Sequence, residues 1–282
     1  RFIISCMGWT KEEYFTEVRS IVMWRSKLLR GQAGVEHFVS CRKGGVSPQP
    51  WDSLNLSCAV RDRIDRVAEN RVRLARALEL STDRFLVSRQ VHGVNIRVVE
   101  SRDERWSTCG EPAVDADGMI TCRPGLCLTV LVADCAPVFL WDPEHRAAGI
   151  LHAGWRGLAQ GICRRGVEAM EDAFATRARD LIAAVGPCIG PCCYEVGSDV
   201  VAAVKGQEVE DGNGVVSKDG KIYLDLAEIA VLQMVWCGVR QEKIDGCGLC
   251  TRCRQDLFFS HRGSGGRTGR FAAGIMVRGG NG

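Results

Sequence analysis

The pattern of hydrophobic and polar positions divides this chain into helical and extended stretches. Between residues 61 and 80, Ile64, Val67, Leu74 and Leu78 fall on one face of a 3.6-residue period, which predicts an amphipathic helix. Short apolar runs bounded by turn residues predict strands. These runs lie at residues 85–92, 95–100, 126–132, 137–141, 147–151, 181–186 and 270–277.

Three further helices are predicted in the second half of the chain. One begins near Gly157, and the other two cover about residues 196–204 and 225–237. The last follows a predicted hairpin at 210–226, and Asp225 with Glu228 has the spacing of a capping box. Because strands and helices do not alternate strictly, we expect a mixed α/β (α+β) fold, a single domain around a mixed β-sheet with flanking helices. Residues 1–34 show no clear period and are predicted to be an N-terminal extension of the domain at 35–282.

Composition narrows the class of protein. The chain has 282 residues, of which 46% are hydrophobic and 25% charged, and a net charge of +3. So small a charge gives no reason to expect a nucleic-acid partner, and no apolar run is long enough to predict a membrane span. Fifteen cysteines, many within apolar runs, favour reduced or metal-binding thiols and a cytoplasmic location.

Two histidines and one cysteine stand at ends of predicted strands. His92 ends the strand at 85–92, His152 follows the strand at 147–151, and Cys135 lies just beyond the strand at 126–132. Two imidazoles and a thiolate are a suitable ligand set for zinc, and three protein ligands leave a fourth position open, as in catalytic sites. Spacing alone leaves open that each residue is simply buried or hydrogen-bonded.

Other cysteines and arginines form two further candidate sites. Cys247, Cys250 and Cys253 have the C-x-x-C-x-x-C spacing of an iron–sulfur cluster or a zinc knuckle, but no fourth ligand lies nearby in sequence. We therefore expect them to bind no cluster and to be reduced or to form at most one disulfide. The stretch GPCIGPCC at 186–193 resembles a zinc-deaminase motif only superficially, because its spacing differs and the chain has no H-x-E. The basic, Gly-rich stretch at 261–270 is not a P-loop, and either a phosphate-binding loop or a flexible loop fits it.

Several of these stretches together resemble the laccase-domain, or multicopper polyphenol oxidase, family (YfiH-like). The matching stretches, in chain order from about residue 35 to 277, are GGVSPQPWDSLNL, VAENR, QVHG, DADGMIT, ADCAPV, HAGWRGL, GPCIGPCCYEVG, LDL, CTRC and FFSHR followed by GRTGR. The family often has S-Y-R-R-D where this chain has Ser260, His261, Arg262, Gly263 and Ser264.

The resemblance implies a metal-dependent enzyme. One zinc ion per chain would be held by His92, Cys135 and His152, which would also form the catalytic centre. The implied activities are phosphorolysis of adenosine, inosine, guanosine and methylthioadenosine, as a purine nucleoside phosphorylase, and deamination of adenosine. Purine nucleosides and phosphate are therefore the expected small-molecule partners.

Candidate substrate contacts follow from the chemistry of phosphorolysis. Arginines must hold the phosphate, and Arg156, Arg262, Arg267 and Arg270 are the candidates. The amides of Asn55 and Gln90 are candidate base or ribose contacts, because they both donate and accept hydrogen bonds. Trp155 is either a lining residue or a core anchor.

Two alternative functions stay open at this point. Cys135 would be the nucleophile of a metal-independent cysteine hydrolase, with His92 or His152 as its base. A polyphenol oxidase with a single metal is the other alternative. A multicopper centre is not expected, since it needs many imidazoles and the chain has five histidines and no H-x-H.

Overall fold

Three β-sheets and six helices form the described part of the chain. The computed structural model describes residues 14–101, 114–205 and 213–279. The strands are β1 (Phe15–Val18), β2 (Ile21–Trp24), β3 (Val35–Ser40), β4 (Phe85–Leu86), β5 (Ile96–Val98), β6 (Gly118–Thr121), β7 (Cys127–Val132), β8 (Ala136–Asp142), β9 (Ala147–Ala153), β10 (Ile182–Val185), β11 (Glu195–Val196), β12 (Val215–Lys218), β13 (Lys221–Leu224), β14 (Ile244–Gly246) and β15 (Phe271–Val277).

The helices are short or of medium length. They are α1 (Lys27–Arg30), α2 (Ile64–Ala77), α3 (Trp155–Ala159), α4 (Ile162–Phe174), α5 (Ser198–Lys205) and α6 (Leu226–Trp236). In the part of the chain that the structure describes, no helix is both long and apolar enough to cross a membrane.

The two large sheets are mixed and pack against each other, and the small third sheet is antiparallel. The strand orders are β1-β2-β3-β15-β7-β4 for the first sheet, β14-β10-β8-β9-β6-β5 for the second and β11-β13-β12 for a small third sheet. Antiparallel pairs dominate, and β4–β7, β5–β6 and β10–β14 are parallel. The mixed α/β class is thus confirmed, with its strands divided among three sheets.

Alternation along β8 shows how the layers are held together. Phe139 and Trp141 point into the core between the two large sheets, whereas Val138 and Leu140 point to the core under α4 and α6. Successive side chains of a strand lie on opposite faces, so a strand that is apolar throughout is buried on both sides. Helix α2 covers the outer face of the first sheet through Leu74.

Most predicted elements are present, with changed boundaries. The predicted strand at 85–92 ends at Leu86, because the Gln90 side chain replaces a strand partner. Its amide donates to the carbonyl of Leu131 and accepts from the N–H of Leu131, each at 2.9 Å. The helix expected from Gly157 begins at Trp155 and is interrupted at Gly161, whose φ of 80° is left-handed.

The predicted N-terminal extension contributes to the first sheet where it is described. Residues 14–34 include β1, β2 and α1. The sequence did not predict these elements, because the hydrophobic spacing in this stretch is short and irregular. Residues 1–13 of that extension and residues 210–212 of the predicted hairpin lie outside the described residues. The boundary at residue 34 stays a prediction.

Candidate metal centre

His92, Cys135 and His152 meet at one end of the second sheet. Their ligand atoms all lie within 4.8 Å of one another, and the two imidazole rings are 4.9 Å apart at their centroids with an angle of 77° between their planes. Two nitrogens and one sulfur at such separations fit the ligand set of a tetrahedral zinc ion. His152 is buried and His92 exposed, so the site is open on one side, as a catalytic metal requires.

The β8–β9 hairpin positions two of these side chains. Pro137 pairs with His152 in the antiparallel register, which places Cys135, two residues before Pro137, beside His152. His92 comes from the loop between β4 and β5 and has a φ of 61°, while Asp134 has a φ of 90°. Positive φ is uncommon for residues other than glycine, and these two are among nine such positions in the described residues.

Asp117 holds the loop that carries His92. One carboxylate oxygen accepts from the N–H of Val91 at 3.1 Å and of Gly93 at 2.7 Å, and the other from the N–H of His92 at 3.0 Å. The second oxygen also lies 2.8 Å from Nδ1 of His152. Since Nδ1 then donates to the carboxylate, Nε2 is left to face the centre, which is the usual arrangement of a metal-binding histidine.

Electrostatics favours a thiolate at the centre. Burial alone would raise the pKa of Cys135, but the charges and hydrogen bonds of His152 and His92 outweigh it and lower that pKa to about 6. Burial would lower the pKa of His152, yet the Cys135 thiolate and Asp117 raise it to about 9. A deprotonated sulfur is the form that binds a metal ion or acts as a nucleophile.

Asp117 belongs to the DADG stretch that resembles the family, but the sequence analysis gave it no role. We expect Asp117→Asn to lower metal affinity or activity about 10- to 100-fold, the usual effect of removing the carboxylate behind a ligating histidine. The asparagine NH₂ would also face backbone N–H donors. Asp115→Asn, two residues away and exposed beside Arg89, is the matched control. Zinc affinity by chelator competition is the measurement, and equal affinities of the two variants would contradict the role of Asp117.

The absence of a side chain at Gly154 leaves room for the side chains of the centre. A Cβ on Gly154 would lie 3.0 Å from Sγ of Cys135 and 3.3 Å from Cδ2 of His92. Because overpacking of a filled site costs about 1–3 kcal/mol, Gly154→Ala should weaken zinc binding roughly tenfold or more. A Cβ on Gly93 would meet its nearest atoms at 3.6 Å, so Gly93→Ala should bind zinc like the wild type. Unchanged zinc affinity in Gly154→Ala would contradict this account.

A cavity of about 520 Å³ lies beside Trp155, and Glu195 and Asp199 are among its other lining residues. Trp155, which follows Gly154, and Tyr194 supply its aromatic lining, and Arg252 and Arg262 lie at its wall. Burial raises the pKa of Tyr194 to about 12, so its hydroxyl stays protonated and is a hydrogen-bond donor. Sequence reasoning missed Tyr194, although it directly follows the cysteines of the GPCIGPCC stretch.

The four candidate arginines differ in their surroundings. Arg156 is exposed with its guanidinium 4.5 Å above the Trp155 ring, and Arg262 lies 5.0 Å above the Tyr194 ring. Arg262 also donates to the carbonyl of Glu195 at 2.8 Å, and its backbone N–H donates to Asp134 at 2.7 Å. Arg267 is exposed in the Gly-rich loop.

The remaining candidate contacts are engaged within the fold. Arg270 is half-buried and donates to the carbonyls of Thr268 and Gly269. Asn55 is 0% exposed, and its side-chain amide forms hydrogen bonds with Ser57, Asp62 and Arg270. Gln90 bonds Leu131 at both ends.

The other histidines lie apart from the centre. His37 is buried, and burial with the charge of Arg25 lowers its pKa to about 3. His145 pairs with Asp142 at 2.8 Å in the β8–β9 turn, and His261 is exposed. Of the five histidines, all within the described residues, His92 and His152 are the two that meet in a candidate metal site.

The cysteine arrangement corrects one premise of the sequence analysis. Cys247 is buried, with its sulfur accepting from the N–H of Leu249, whereas Cys250 and Cys253 meet Cys192 and Cys193. The premise that further ligands are missing is therefore wrong, because they come from another loop. Twelve of the described cysteines are free thiols, while Cys58 is disulfide-bonded, unlike the reduced state expected.

Comparison with known proteins identifies the family. The sequence matches the family described as multi-copper polyphenol oxidoreductase laccase over residues 36–278. Because this match spans most of the chain, the chain belongs to that family, and the resemblance drawn from its motifs is confirmed.

Its relatives include proteins named as enzymes. The protein named purine nucleoside phosphorylase of Bacteroides thetaiotaomicron is 31% identical over 255 residues, covering 88% of this chain and 94% of that protein. Purine nucleoside phosphorylase YlmD of Geobacillus stearothermophilus is 35% identical over 255 residues, covering 87% and 91%. The crystal structure of YlmD from Geobacillus stearothermophilus has a TM-score of 0.87 and 32% identity, covering 95% of this chain and 99% of that one.

Proposed function

We propose that this chain is a zinc-dependent purine nucleoside phosphorylase. The single observation that carries the proposal is the meeting of His92, Cys135 and His152, whose ligand atoms all lie within 4.8 Å of one another. The names of its relatives support the same activity. Adenosine, inosine, guanosine and methylthioadenosine are the proposed nucleosides, and adenosine deamination is a proposed second activity.

The reaction needs a bound phosphate and a bound purine. A phosphate oxygen forms a bond to C1′ of the ribose as the bond from C1′ to the purine nitrogen breaks. The proton of the HPO₄²⁻ ion passes to the departing purine, and ribose 1-phosphate is the second product. The electrostatic demand is therefore to concentrate phosphate near C1′ and to orient the nucleoside.

Two arginines and two aromatic rings at or next to the cavity suit these demands. Arg156 and Arg262 carry cationic groups that suit a phosphate dianion, and each lies over an aromatic ring. The rings of Trp155 and Tyr194, which line the cavity, suit stacking of a purine base. Asn55, Gln90 and Arg270 support the surrounding fold through their hydrogen bonds, and their role as substrate contacts stays a prediction.

The donor set fits a zinc ion. When bound, zinc supplies Lewis acidity and lowers the pKa of a water molecule, which suits deamination as well. Asp117 orients His152, and Gly154 keeps space beside Cys135. Twelve free thiols among the described cysteines support a reducing, cytoplasmic location, whereas the disulfide-bonded Cys58 does not.

A cysteine hydrolase is the second candidate, and one observation favours it. Cys135, His152 and Asp117 stand in the order of a nucleophile, base and orienting carboxylate. Such an enzyme would be active without metal and blocked by iodoacetamide. The second imidazole, His92, favours the metal site, because a nucleophile–base pair does not require it. A single-metal polyphenol oxidase would instead consume oxygen with a phenol.

The test is phosphate-dependent cleavage of nucleosides by the purified protein. Each proposed nucleoside is incubated with and without inorganic phosphate, and free base and ribose 1-phosphate are measured. The proposal predicts both products in equal amounts, only when phosphate is present. Cleavage to free ribose, independent of phosphate, would contradict it.

A further inference from the structure

Four cysteine sulfurs form a second cluster outside the site already described. Cys192, Cys193, Cys250 and Cys253, called here the thiol cluster, have sulfur atoms that all lie within 4.8 Å of one another. Sγ of Cys253 is 3.5 Å from Sγ of Cys192 and 3.4 Å from Sγ of Cys193. All four are free thiols in the structure.

We propose that the thiol cluster binds a structural zinc ion. Four thiolates at a Zn–S distance of about 2.3 Å in a tetrahedron lie about 3.8 Å from one another. The two distances from Sγ of Cys253, 3.4 and 3.5 Å, are a few tenths of an ångström shorter than this value, and no pair of the four sulfurs is more than 4.8 Å apart. A disulfide would need about 2.05 Å. Tetrahedral four-sulfur coordination is the usual choice of zinc in structural sites.

The fold brings the two pairs of cysteines together by strand pairing. β10 and β14 run parallel, so the loops that follow them leave the same edge of the sheet. Cys188 then forms an isolated bridge with Cys250, with its N–H donating to Leu249 and its carbonyl accepting from Thr251. This bridge places the pair that follows β10 against the pair that follows β14.

The backbone around Cys250 is shaped for a thiolate. The N–H groups of Gly190, Arg252 and Cys253 point to the Cys250 sulfur, an arrangement that stabilises negative charge on a metal-bound sulfur. A Cβ on Gly190 would lie 3.4 Å from Cβ of Cys250 and 3.5 Å from Sγ of Cys192. The backbone at Gly190 therefore closes directly over the cluster.

Charge and access also suit a metal ion. Four thiols bind one Zn²⁺ by releasing four protons to solvent, which leaves a net charge of −2 on the site. Arg252, between two ligands in sequence, donates to the carbonyl of Cys193 at 3.1 Å and offsets that charge. Cys192 and Cys253 are exposed, so the ion can enter without unfolding.

The thiol cluster is linked to the catalytic centre by two short paths. Thr251, next to Cys250, donates to Asp134 at 2.6 Å, and Asp134 precedes Cys135. Tyr194, next to Cys193, lines the substrate cavity. A zinc ion in the cluster would therefore hold both the loop behind Cys135 and one wall of the cavity.

The experiment counts zinc per chain in protein purified under argon with a reductant. The variants are His152→Ala, the double variant Cys250→Ser/Cys253→Ser, and the control Cys122→Ser, an exposed cysteine outside both sites. We expect two zinc ions in the wild type and in the control, and one in each of the other two. Cys247→Ala should also keep two, although it shares the sequence run of Cys250 and Cys253.

Cobalt substitution identifies the ligands without disturbing the thiol cluster. Loading His152→Ala with Co²⁺ should give the intense visible and charge-transfer absorption of a tetrahedral tetrathiolate. That absorption should disappear when Cys250→Ser/Cys253→Ser is added. Because His152→Ala leaves the cluster intact, this result does not depend on how well the cysteine variants fold.

Three outcomes would overturn the inference. They are a His152→Ala protein that binds neither zinc nor cobalt through thiolates, a disulfide within the cluster of freshly reduced protein, and iron in place of zinc. Failure of the proposed function gives a different pattern. The wild type would then hold one zinc ion, kept in His152→Ala and lost in Cys250→Ser/Cys253→Ser.

Discussion

Replacing His152 with alanine should remove the metal ion of the catalytic centre and nearly abolish phosphorolysis. His152 is buried, contributes one of three candidate ligands and is fixed by Asp117. A metal ion stabilises transition-state charge by several kcal/mol, so its loss should lower kcat/KM by roughly 10³-fold or more. Zinc content and phosphorolysis of the same preparation are the two measurements.

The control for this variant is His145→Ala. His145 lies in the turn at the opposite end of the β8–β9 hairpin and pairs with Asp142. The His145→Ala variant should keep both its zinc and its activity. Only a small loss of stability is expected. If His152→Ala retained phosphorolysis with its metal content unchanged, the catalytic centre would be elsewhere.

Replacing Arg156 with alanine should separate the two proposed activities. The Arg156 guanidinium is exposed over the Trp155 ring. Arg156 is not adjacent in sequence to a candidate metal ligand, and among the described residues it forms no hydrogen bond with one. The variant should therefore keep its zinc. Phosphorolysis should fall about 10²-fold, the usual effect of removing one charge-stabilising donor. Adenosine deamination, which uses no phosphate, should change far less.

Arg164→Ala is the matched control for Arg156. Arg164 is an exposed arginine on α4 beside Glu168, and its removal should leave both activities unchanged. The KM for phosphate and the rate of deamination are measured on each variant. An equal loss of both activities in Arg156→Ala would make Arg156 a structural residue.

Sequence patterns predicted the elements that have a strong period of their own. Helix α2 lies inside the stretch 61–80 that predicts it, and strands β7, β8, β9 and β15 lie within a residue or two of their apolar runs. The meeting of Cys135 with His152 also follows from sequence, because both flank adjacent strands of one hairpin. The short strands β1 and β2 have too few residues to show a period.

Features that depend on tertiary pairing could not be predicted. Cys192 and Cys253 are 61 residues apart, and only the pairing of β10 with β14 brings them together. Asp117 acts through four hydrogen bonds to distant residues, which no spacing reveals. The end of β4 at Leu86 depends on a side chain, Gln90, that takes the place of backbone pairing.

The metal dependence of phosphorolysis tests the central claim most directly. The purified protein is depleted of metal by a chelator, assayed with a purine nucleoside and phosphate, and assayed again after one and two equivalents of zinc. The account predicts that ribose 1-phosphate formation disappears on depletion and returns with zinc, and that His152→Ala does not regain it. Full activity in metal-free protein, blocked by iodoacetamide, would contradict the account and identify Cys135 as a nucleophile.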